Sequence, residues 1–108
     1  MRKLLILALL AAFLVTAAPT YDYNNLNTNQ VSVGSTATLI AAQRPGRLSV
    51  SIVNLSSTDI YIGPSGVTTS SGTLLLGTRG TALTVPSAVA VYGVVATGTA
   101  SVSYMEVY

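Results

Sequence analysis

The chain has 108 residues, which is enough for one domain, and it contains no Cys, His or Trp. Without Cys there is no disulfide framework and no thiolate metal site, and without His the usual general base near neutral pH is missing. The formal net charge is +2, but Arg2 and Lys3 precede a long apolar run. Beyond that run Arg44, Arg47 and Arg79 balance Asp22, Asp59 and Glu106. A body with no net charge and no cluster of cations lacks the electrostatic footprint of a nucleic-acid binder.

Residues 4–15 are twelve uninterrupted apolar residues, and Thr16-Ala17-Ala18 follow. A cationic start, an apolar stretch and small residues in that order match a secretory leader, with a cut placed before Ala18. The run is short for a membrane span, which needs about 20 apolar residues. Residues 1–18 are therefore read as a hydrophobic helix that is either a cleaved leader, a retained anchor contacting a membrane through residues 4–18, or a segment buried in an assembly. Residues 19–30 carry four Asn and little periodicity, which reads as a linker or arm. Tyr21 and Tyr23 are its candidate anchors.

From Val31 onward, short β-branched runs alternate with Gly, Pro, Ser and Asn, so residues 31–108 are expected to form the β-domain. Strands are predicted over 31–33 and 36–42, with a turn at Gln43-Arg44-Pro45-Gly46. Residues 48–54 (LSVSIVN) alternate with the period of two that a half-buried strand requires. Strands at 60–62, 74–76 and 83–85 come next. The runs 89–96 and 100–107 flank Thr97-Gly98, which predicts a hairpin between them. Seven or eight short strands without helical periodicity give an all-β fold, an antiparallel sandwich or small barrel.

The ninety residues from Pro19 onward hold only six charged side chains but 25 Ser and Thr. Soluble domains that must stay apart normally carry net charge. A neutral hydroxyl-rich surface suits packing against neighbours, and a domain this small without disulfide or metal gains stability from association. The residues offer no catalytic, cofactor or metal set. Three scattered carboxylates make neither a glycosidase pair nor a calcium loop, and the many Ser have no base. Gly63-Pro64-Ser65-Gly66 lacks the Lys-Ser/Thr ending of a phosphate loop and reads as a turn. Asn54-Leu55-Ser56 fits a glycosylation sequon but reads as turn chemistry at a strand end.

The interface candidates are Tyr61, Tyr92, Tyr104 and Tyr108, which combine large area with a polar tip, together with Tyr21 and Tyr23. Arg44 and Arg47 bracket a turn and are either solvated or paired with a neighbour's carboxylate. Tyr61, Tyr92, Tyr104 and Tyr108 are equally suited to core positions with the hydroxyl at the rim, and Tyr21 and Tyr23 to a solvated linker.

The stretch 33–72, with its TATLIAA strand, RPGR turn, SVSIVNL strand, DIYIG and GVTTSSG, resembles small structural proteins of tailed bacteriophages. The late AVYGVVATGTASV segment and the end at Glu106–Tyr108 extend the likeness over residues 31–108. The resemblance implies a non-enzymatic virion component: a capsid decoration, minor capsid, head-fibre or tail-associated protein. Its partners would be its own copies and a major capsid or other virion protein, and its location the virion. The apolar N-terminus departs from that pattern and keeps a second reading open, an exported bacterial β-domain, secreted or at the cell surface, that forms a filament or surface layer or binds glycan.

Overall fold

A computed structural model of the chain describes residues 25–108. The expected hydrophobic helix, the leader or anchor reading, and Tyr21 and Tyr23 lie outside the described residues. Eight strands follow in order: β1 Leu26–Val33, β2 Thr38–Ala41, β3 Ser49–Asn54, β4 Ile60–Gly63, β5 Thr73–Leu75, β6 Ala82–Val85, β7 Val91–Val94 and β8 Ala100–Val107. They form two four-stranded sheets, β1-β8-β3-β6 and β2-β7-β4-β5, and every pairing is antiparallel. The chain changes sheet at every connection except β4–β5. This order is that of a jelly roll, two interleaved Greek keys closed face to face.

The alternation predicted for the third strand is met: along β3, Val50, Ile52 and Asn54 are buried and the residues between them are half-buried. The core is aliphatic. Val33, Val50, Ile52 and Val102 from the first sheet meet Ile40, Ile60, Ile62, Leu75, Val91 and Val95 from the second sheet and its loops. Close approach of the sheets depends on Gly93 in β7, where a Cβ would lie 2.8 Å from Ile40 Cδ1 and 3.4 Å from Val33 and Ile60.

Two expectations shift. β1 begins at Leu26, so the second half of the Asn-rich stretch is strand; pairing with β8 along its whole length supplies hydrogen bonds that Asn and Gln do not favour intrinsically. The hairpin expected around Thr97-Gly98 is not formed. β7 pairs with β2 and β4, β8 pairs with β1 and β3, and the turn carries the chain from one sheet to the other. Gly98 still adopts the positive φ (73°) that its composition suggested. A turn signal fixes chain reversal; it does not fix which strands then pair.

Candidate functional site

The polar side chains inside the sandwich form two clusters at opposite ends of β3. At the first, Arg47 has just left the Gln43–Gly46 turn, and its side chain is fully buried. Its Nη1 donates to Glu106 Oε1 at 2.7 Å and to the Ala42 carbonyl at 3.0 Å. Its Nε donates to the Ser87 carbonyl at 2.9 Å, and its Nη2 to the Val89 carbonyl. One guanidinium thus ties the end of β2, the β6–β7 loop and β8 together. The other Glu106 oxygen, Oε2, accepts from Asn27 Nδ2 at 2.9 Å and lies 3.3 Å from Arg44 Nε. Arg44, whose side chain is 35% exposed, also stacks over the Tyr108 ring at 4.0 Å. Burial works against ionisation of Glu106, but the hydrogen bonds from Asn27 and Arg47 and the charges of Arg44 and Arg47 outweigh it. The carboxyl is held below its ordinary value.

At the other end, Asn54 is fully buried. Its Nδ2 donates to the carbonyls of Thr58 (2.9 Å) and Leu76 (3.0 Å), and its Oδ1 accepts from Ser56 N–H and Oγ–H. The amide fastens β3 to the approach to β4 and the exit from β5. Nearby, Asp59 Oδ1 accepts from Gly77 N–H at 2.7 Å. The sequon asparagine therefore has both amide hydrogens engaged in the folded chain. Among the described residues no buried side-chain nitrogen or oxygen lacks a partner, and no group of three His, Cys, Asp or Glu gathers.

With the polar interior so occupied, the chemistry available to a partner is on the outside, and the two sheets present different surfaces. On the outer face of the first sheet, Thr28, Met105, Ser51 and Thr84 form one cross-strand row, and Gln30, Ser103, Val53 and Ala82 the next. No charged residue stands in either row. The second sheet sets Leu39 beside Tyr92 and Gly63, and Val94 beside Tyr61 and Leu74. The loop from Pro64 to Gly72 returns over this face and buries Val67, which lies against Gly63 and Gly72. An apolar groove of about 420 Å³ opens at the gap between the sheets, lined by Ile62 and Val91 of the second sheet, Leu83 and Val85 of the first, and Pro64 and Val89 of the adjoining loops.

The expected interface residues are thus dispersed. Tyr61 and Tyr92, both half-buried, share the outer face of the second sheet. Tyr104 packs at the core margin and lines a shallow cleft with Arg44, Pro45 and Glu106. Tyr108 lies under Arg44, and Arg47 is consumed inside the chain, its carboxylate partner being Glu106 rather than a neighbour's. Residue spacing held an unused signal for that pair. Val102, Tyr104 and Glu106 are two apart on one strand, so a carboxylate follows two inward positions and requires a cation inside.

No protein-family model, curated protein or solved structure matches the chain.

Proposed function

We propose that the chain is a non-enzymatic virion structural protein, a capsid-decoration, minor-capsid or fibre-type component that works through assembly contacts. Its partners are its own copies and a major capsid or other virion protein. The observation that carries this reading is the pairing of a jelly-roll strand order with a sheet face free of charge. Jelly rolls serve viral shells as well as lectins and cupins, and fold alone does not choose among them. The choice rests on chemistry. The chain has no His or Cys for a metal, and the buried polar side chains among the described residues, Arg47, Asn54 and Glu106, are engaged in holding loops. Neutral, hydroxyl-rich strand faces remain, suited to lying against other protein. The likeness of residues 31–108 to tailed-phage structural proteins supports the same reading.

Purified particles test it. The chain should be present in them at a fixed ratio to the main shell protein, by quantitative mass spectrometry of gradient-banded particles. Recovery only from the culture fluid of uninfected cells would overturn the proposal in favour of an exported surface or filament protein.

A further inference from the structure

A jelly roll leaves four sheet edges, and an edge strand exposes unpaired N–H and C=O groups that natural proteins usually protect. Three of the four are protected here. β2 carries a register shift between Leu39 and Ala41, β5 is only three residues long, and β6 is four residues long and stops at Pro86. β1 has none of these devices. It runs for eight residues (LNTNQVSV) in unbroken register with β8 and contains no proline and no charge.

Its hydrogen-bonding direction follows from one pair. Asn25 and Tyr108 exchange both backbone bonds, N···O 3.1 and 3.0 Å. In an antiparallel ladder such pairs alternate, so Asn27, Asn29, Val31 and Val33 bond to β8, and Leu26, Thr28, Gln30 and Ser32 direct their N–H and C=O outward. One of these outward groups, the Gln30 N–H, is held by the Asn29 side-chain oxygen at 2.8 Å and must be released from it to serve a neighbouring strand. Four residues with two groups each leave eight outward groups, and among the described residues no strand meets them.

We propose that β1 is an assembly edge that pairs antiparallel with β1 of a second copy, joining two four-stranded sheets into one of eight strands about a twofold axis through Asn29. In this register Leu26 pairs with Ser32 of the other copy and Thr28 with Gln30, so all eight outward groups of each copy are used and no charges oppose. A second copy supplies the complementary register by symmetry. A strand from another protein has to match it independently. This inference rests on the assembly reading above and names one of its contacts.

The register gives the test. Two Asn29 residues form a non-hydrogen-bonded pair across the axis, with Cα atoms about 4.5 Å apart, within disulfide range. The chain has no Cys, so Asn29→Cys in the full chain introduces a single thiol. On air oxidation it should shift to twice the chain mass on a non-reducing gel, whereas Thr97→Cys, at an exposed turn in the β7–β8 connection, should stay at monomer mass. Adding Gln30→Pro removes an outward N–H without touching the bonds to β8, so the domain should still fold, by circular dichroism, and the cross-link should be lost. The proposal is overturned if Asn29→Cys stays monomeric, links to a different protein, cross-links no better than Thr97→Cys, or is unaffected by Gln30→Pro. Scoring the same variants in particles separates the two readings. Chain present in particles but never cross-linked removes the edge pairing alone, and a cross-linked dimer absent from particles removes the virion reading alone.

Discussion

The two ends of β3 solve one problem with different chemistry. At each end the chain crosses between sheets, leaving loop carbonyls that need donors, and a single buried side chain supplies them. At the Arg47 end the donor is a guanidinium, so charge is brought inside and Glu106 must balance it. At the Asn54 end the donor is a neutral amide whose own oxygen is satisfied by Ser56. The difference shows what each end risks: a charged clasp depends on its counter-ion and on pH, a neutral one only on its hydrogen bonds.

Removing the counter-ion separates the two ends by the widest margin. Glu106→Gln leaves Arg47 buried with a neutral hydrogen bond in place of its ion pair. Breaking a buried pair from one side costs about 3 kcal/mol, a fall in the thermal midpoint of roughly 15 °C for a domain this size. Asn54→Ala strands the Thr58 and Leu76 carbonyls and should cost less, about 2 kcal/mol. Equal losses in matched thermal melts would mean that charge adds nothing at the Arg47 end.

Acid distinguishes the ends without a strong perturbation of packing. The Glu106 carboxyl is held below its ordinary value, so its ionised form is stabilised by folding. That contribution is complete above the unfolded value, about 4.3, and is lost as pH falls through the lower, folded one. The wild-type protein and Asn54→Ala should both lose stability with acidification in that window. Glu106→Gln should lose much less there, since its amide cannot titrate. A Glu106→Gln profile parallel to wild type would place the acid sensitivity elsewhere.

How much of this was legible in the sequence follows the same division between local and long-range causes. β3, β4 and β8 were readable because period-two alternation and β-branched residues are local properties, and the core faces of these strands follow from them. The first five residues of β1 were not, because Asn-rich chain becomes strand only when β8 lies beside it. Thr97-Gly98 showed a reversal but concealed the change of sheet, which only packing decides. At Asn54 the local half was visible, the turn bonds from Ser56, whereas the bond to Leu76 spans 22 residues. Arg47 and Glu106, 59 residues apart, were both in view, and what was missing was the topology that joins them.

The turn glycines distinguish the two ends by a smaller margin. Each end has one glycine at positive φ, Gly46 (84°) within the arginine turn and Gly80 (95°), whose N–H donates to the Asn54 carbonyl at 2.8 Å. A Cβ at either position meets nothing within 4 Å, so replacement by Ala costs only backbone strain, about 1 kcal/mol each. That strain is paid in full only where the turn cannot relax. Gly46 is held because Arg44 and Arg47 on either side are both engaged with Glu106. In a Glu106→Gln background the turn is freer, so Gly46→Ala should cost less than it does in wild type, by about 0.5 kcal/mol or more in a double-mutant cycle. Gly80→Ala, held by the neutral end, should cost the same in both backgrounds. Equal coupling at the two glycines would show that the ends are one cooperative unit, and that the charge at Arg47 is felt along the whole of β3.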